Sequence, residues 1–142
     1  MTKRVNITLT VDLDDNGEKG RTAIQSSGLL TEDENGLRLW YTEPLEEGSV
    51  VTEVRVVVTP RGLTIHRSGL VSSTMALEVG KEARWEYQTP YGEMEFPVVC
   101  SELSNTLTLA GGRIFAKYCV NTSENLQGIL AVMEYLVEEV QE

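Results

Sequence analysis

The chain has 142 residues, enough for one domain with its own hydrophobic core, and 41% hydrophobic with 24% charged residues is a globular composition rather than a disordered one. Its 22 acidic residues outnumber 12 basic ones, and the formal net charge of -10 argues against nucleic acid or an anionic membrane as partner. The basic start, Lys3-Arg4, is followed by alternating rather than continuous apolar residues, so no signal peptide or bilayer-spanning stretch is expected and the reading is a cytoplasmic protein.

The dominant signal is a period of two. Val5, Ile7, Leu9, Val11 and Leu13 alternate with polar residues, as in a strand with one buried face. Asp15-Asn16-Gly17 supplies a turn, and Arg21 to Leu30 reads as the returning strand, with Ser26-Ser27-Gly28 marking a bulge or bend. Asn35-Gly36 turns the chain again into a short strand, Leu37 to Tyr41, and Glu43-Pro44 to Gly48 reads as a loop. Val50 to Thr59 is rich in β-branched residues and stops at Pro60, which cannot donate to a ladder. Leu63 to Arg67, Val71 to Val79, Ala83 to Thr89, Glu93 to Cys100 and Arg113 to Asn121 continue the meander, and Leu103 to Leu109 reads as a continuation after a bend. The segment Leu126 to Val140 fits both a helical face and a strand face, and periodicity alone favours the helix narrowly. Many short strands joined by Gly, Pro and Asn turns, with no repeat or linker, indicate one all-β domain over residues 1–142.

The two cysteines lie in opposite phase, Cys100 with Phe96 and Val98 and Cys119 against Tyr118 and Val120, so a disulfide is disfavoured. With one histidine besides, the chain lacks the ligands of a metal centre, and no cofactor is expected. Asn6-Ile7-Thr8 and Asn121-Thr122-Ser123 match the glycosylation pattern only by chance if there is no secretory route.

Several motifs carry a family resemblance in order along the chain. They are Tyr41-Thr42-Glu43-Pro44, Arg67-Ser68-Gly69, Met75 followed by Glu78-Val79-Gly80, Thr89-Pro90-Tyr91-Gly92, and Gly112-Arg113-Ile114 leading to Tyr118. With them the chain resembles the uncharacterised bacterial YwiB-type family, a domain of unknown function. The resemblance implies a calycin-like (lipocalin-like) up-and-down antiparallel β-barrel of about eight to ten strands. It also implies that Leu126 to Tyr135 is a strand closing the barrel against the first, with a short helical end toward Val140 left open. It brings no established activity.

In such a barrel the inward phase decides what a site is made of. The apolar phase places Ile7, Leu9, Val11, Leu39, Tyr41, Val54, Val56, Leu63, Ile65, Met75, Leu77, Trp85, Tyr87, Phe96, Val98, Ile114 and Tyr118 inside. Arg67 shares the phase of Leu63 and Ile65, and a guanidinium there must be paired. Two readings follow. Arg67, with Tyr41, Tyr87 or Tyr118, grips an acidic head group while apolar residues such as Met75 and Trp85 hold a tail, or Arg67 stacks on Trp40 or Trp85 and plugs the barrel end. Tyr91 sits in the Thr89-Pro90-Tyr91-Gly92 turn and is a further candidate for lining a barrel mouth.

His66 and Ser68 share the opposite, solvent-facing phase, which permits a base-and-nucleophile reading, but no carboxylate is evident to orient the imidazole and no catalytic residue is assigned. Gly111-Gly112-Arg113 leads into a strand without the phosphate-loop lysine. Glu43, Glu46 and Glu47, and Glu138, Glu139 and Glu142, read as solvated acidic surface without the spacing of a calcium loop. The function expected is therefore a barrel that binds a small hydrophobic or acidic molecule without catalysis. The alternative is a filled barrel serving as a structural or protein-interaction module, for instance as a homodimer.

Overall fold

A computed structural model describes residues 1–44, 51–121 and 128–140. They form ten strands in chain order: β1 (Thr2–Asp15), β2 (Glu18–Asp33), β3 (Gly36–Pro44), β4 (Val51–Val58), β5 (Leu63–Ser68), β6 (Ser72–Leu77), β7 (Glu82–Thr89), β8 (Gly92–Asn105), β9 (Gly111–Val120) and β10 (Ile129–Glu139). Each strand pairs antiparallel with its sequence neighbours, and β10 pairs with β1, so the sheet closes into an up-and-down barrel. Closure leaves no unpaired edge to template association.

The turns follow from their residues. Asn16 and Gly17 take φ of 54° and 93°, the left-handed pair that a tight hairpin between right-twisted strands needs. Gly28, in the middle of β2, is a strand glycine with no room for a side chain. An added Cβ would sit 2.5 Å from the Trp40 carbonyl oxygen and 2.6 Å from Ile7 Cδ1, so β2 passes close beneath β3 at that point.

Several expected boundaries move. β2 keeps unbroken register with β1 through Ser26-Ser27-Gly28, so the expected bulge is not there; the irregularity falls instead in β8, between Cys100 and Glu102. β3 runs past Tyr41 to Pro44, because Glu43 and Pro44 still pair with Thr52 and Val51. β6 ends at Leu77, and Val79 makes only an isolated bridge to Cys100. The C-terminal segment is a strand, as the resemblance implied, but it spans Ile129–Glu139, and the helical end toward Val140 gives way to pairing of Glu139 with Val5. Leu126, Glu46, Glu47 and Glu142 lie outside the described residues, as do Thr122 and Ser123.

Inward-facing residues alternate with outward ones on every strand, and the expected interior set lies inside, with Val11, Trp85, Tyr87 and Phe96 only partly buried. The outward faces carry cross-strand ion pairs such as Arg21–Asp12 and Arg113–Glu134. Cys100 is buried and Cys119 half-buried, and no disulfide joins them.

The barrel has two unlike ends. One carries the β2–β3, β4–β5, β6–β7 and β8–β9 connections, and it is packed with Val5, Leu30, Leu39, Val56, Leu63, Ile65, Leu77, Ile114 and Val137. The other carries the β1–β2, β5–β6 and β7–β8 turns and the start of the β3–β4 and β9–β10 connections, and there the interior is hollow.

Candidate functional site

The hollow end encloses a cavity of about 570 Å³. A ten-stranded barrel is wider than the eight-stranded size that side chains can just fill, so its axis stays empty unless large residues reach it. At this end several inward positions are small. Thr22, Thr52, Ser73 and Ala131 take inward positions where the packed end has Leu, Ile or Val. One wall, from β1, β2 and β10, is mostly aliphatic, with Leu9, Val11, Leu13, Ile24, Ile129 and Met133, and β9 adds Tyr118 and Val120 beside it. The facing wall, from β5 to β8, carries Arg67, Ser73, Met75, Trp85, Tyr87 and Phe96. Leu13 and Val71 at the rim are each 41% exposed.

The strand register places the polar groups together. Tyr41, Val54, Arg67, Ser73, Tyr87 and Met94 are successive cross-strand partners from β3 to β8. One residue pair deeper, Leu39, Val56, Ile65 and Met75 form the next inward row. Arg67 therefore sits with Ser73 and Tyr87 on one contour around the cavity.

A hydrogen-bonded chain closes the floor. The Tyr41 and Tyr135 hydroxyls lie 2.8 Å apart, Tyr41 donates to Glu43 Oε1 at 3.3 Å, and Arg67 Nε donates to the same oxygen at 3.3 Å. The two charged side chains are 23% and 19% exposed, so their pairing is shielded from water. Burial disfavours the Arg67 charge, but the oxygens of Tyr135, Glu43 and Tyr41 outweigh it and hold the guanidinium protonated. Burial pushes Tyr41 far above the ordinary phenol range, with Tyr135 adding to it, and pushes Tyr135 up to about 12. Burial likewise raises Tyr87, to about 12, and Tyr118, although nearby Arg67 opposes both shifts. All four phenols are thus neutral hydrogen-bonding groups at physiological pH.

Among the described residues the hydroxyls of Tyr87 and Tyr118 and of Ser73 make no hydrogen bond, and Arg67 makes only the one from Nε. Trp85 packs against Tyr87 with ring centroids 5.0 Å apart, and Tyr87 meets Phe96 edge-on at 5.6 Å. The indole N–H of Trp85 is buried with no acceptor among the described residues, which costs about 1–3 kcal/mol in a folded protein.

The cavity thus brings together Arg67, Tyr87, Tyr118, Met75 and Trp85, and Tyr41 lies in its floor. Tyr91 is not among them. It is 99% exposed at the β7–β8 hairpin tip, because that two-residue turn points its side chain away from the barrel. Stacking of Arg67 on Trp40 is ruled out by phase, since Trp40 faces outward, 38% exposed, and bonds Glu53. The fully filled interior holds for one end only. His66 and Ser68 do not form a dyad: His66 Nδ1 is bonded across strands to Thr74 Oγ1 at 3.2 Å, and Ser68 is exposed. No group of three or more His, Cys, Asp or Glu residues able to hold a metal occurs among the described residues.

Three site residues escape a reading by composition. Glu43 is not solvated loop surface; it is the inward partner of Arg67. The signal was its phase, two residues beyond Tyr41 and four beyond Leu39, masked by the neighbouring proline. Ser73, only 8% exposed, shares the phase of Met75 and Leu77. Tyr135 shares the inward phase of Met133 and Val137 but has no sequence mark of its pairing with Tyr41.

The family profile for a domain of unknown function, DUF1934, matches residues 5–132. The chain belongs to the DUF1934 family. The solved structures similar to it include the YwiB protein from Bacillus subtilis, at 21% identity and a TM-score of 0.85, covering 99% of this chain and 94% of that one. At that identity the likeness establishes the fold and leaves the chemistry of the site to its own residues. No curated protein matches the chain. The DUF1934 barrel described here has no helix long and apolar enough to cross a membrane among its described residues.

Proposed function

We propose that this DUF1934 domain is a binding barrel that encloses one small amphipathic molecule and performs no chemistry on it. The observation that carries the reading is the mostly apolar cavity of about 570 Å³ with a polar cluster on one side. Ligand pockets span about 300–1,000 Å³ and combine apolar walls with a few convergent polar groups. The aliphatic wall would hold the body of the ligand, and Arg67, Ser73, Tyr87 and Tyr118 its head.

Native mass spectrometry of the gently purified protein tests the reading. We expect an adduct of one small molecule per chain, lost on denaturation and absent from Ala131→Phe, which puts a ring into the cavity. A bare mass, together with no saturable uptake of an apolar dye by the native protein, would sink it.

A further inference from the structure

Taking the cavity as a ligand site, we propose that it selects an electrically neutral ligand bearing a hydrogen-bonding head, such as an ester, amide or alcohol, and that Glu43 is the residue that rejects carboxylates. Arg67 by itself would invite an acidic head. Its surroundings reverse that preference. Glu43 and Arg67 are the only charged residues among the described ones lining the cavity, and they are paired to each other at 3.3 Å. The described wall is therefore formally neutral before any ligand enters. A carboxylate placed on the terminal nitrogens of Arg67 would leave one excess negative charge beside Glu43, in an apolar enclosure where water screens it poorly. The chain's net charge of -10 adds to the penalty for an anion.

A neutral head meets no such obstacle. The groups that face the Glu43–Arg67 pair are Tyr41 from β3, Tyr135 from β10, Tyr118 from β9 and Tyr87 from β7. None of them carries charge at physiological pH. Arg67's terminal nitrogens and the hydroxyls of Ser73, Tyr87 and Tyr118 offer several donors, and the hydroxyls also accept. A carbonyl or hydroxyl oxygen satisfies these groups without disturbing the ion pair.

Displacement of the neutral dye Nile red by three matched chains tests the inference: dodecan-1-ol, methyl dodecanoate and dodecanoate, near neutral pH, where the acid is ionised. For the native protein we expect the ester and the alcohol to compete at concentrations at least about tenfold below that of dodecanoate. Glu43→Gln keeps an oxygen for Tyr41 and Arg67 but removes the charge, so it should strengthen dodecanoate about tenfold relative to the ester. Dodecanoate competing as well as the ester on the native protein would overturn the inference, as would a folded Glu43→Gln that leaves the order unchanged. The native-protein comparison stands even if the variant does not fold. If the dye and all three chains fail to bind, the binding-barrel reading itself falls and takes this one with it.

Discussion

The two ends of the barrel are built from the same ten strands with the same alternation, yet one is solid and the other hollow. The packed end places Leu39, Val56, Ile65 and Leu77 on inward positions, each at most 2% exposed, and the Tyr41–Tyr135 pair caps it toward the axis. The hollow end places Thr22, Thr52, Ser73 and Ala131 on the equivalent faces. The difference teaches that the backbone of a wide barrel leaves room along its whole axis, and that side-chain volume at a few inward positions decides where the room is closed. The packed core is concentrated at one end and the cavity at the other.

Substitutions can break or sharpen that contrast. The largest effect belongs to Ile65→Ala in the packed end. Ile65 is fully buried, and its loss should cost about 2–5 kcal/mol by denaturant titration. Gly28→Ala comes next, at about 1–3 kcal/mol, because the Trp40 carbonyl that its methyl group would meet is backbone and cannot swing away. Chemical denaturation of the purified variant reads both directly.

High pH should break the floor between the two ends. Tyr87 and Tyr135 each have a folded pKa of about 12 against an ordinary 10.0, so the folded state keeps their protons longer than the unfolded chain does. The stability this supplies is whole below pH 10.0 and is lost as pH rises toward about 12. A tyrosinate absorbance titration should then show late ionisation that coincides with unfolding; early, reversible ionisation of all the tyrosines would contradict the buried cluster. The smallest effect is expected at the rim of the hollow end. Leu13→Ala should cost less than about 1 kcal/mol, since Leu13 is 41% exposed and already borders empty space. A cost there as large as that of Ile65→Ala would mean that the two ends are packed alike.

Much of this was legible in the chain. The period-two pattern from Val5 to Leu13 fixes which face of β1 is buried, and Asn16-Gly17 fixes the turn after it, because each is a local steric or hydrophobic preference. Arg67 could be placed inside from its phase alone, as could Tyr87 and Tyr118. Glu43 was legible in principle, yet a Glu-Pro pair reads locally as loop, and only its pairing with Thr52 kept it in the strand. The segment now seen as β10 was ambiguous because its outward residues Leu130, Val132 and Leu136 are apolar too, which blurs the strand period into a helical one.

By itself the spacing determined the β class of all but the last segment, the inward face of most strands and the presence of a cation among them, since these depend on periodicity within single strands. The tertiary structure alone decided that Glu43 meets Arg67, that Tyr41 meets Tyr135 across the barrel, and that the described residues leave a cavity at one end. Those contacts join β3 to β5 and β3 to β10, and the void depends on the summed volume of side chains from every strand, a quantity set only when the sheet closes.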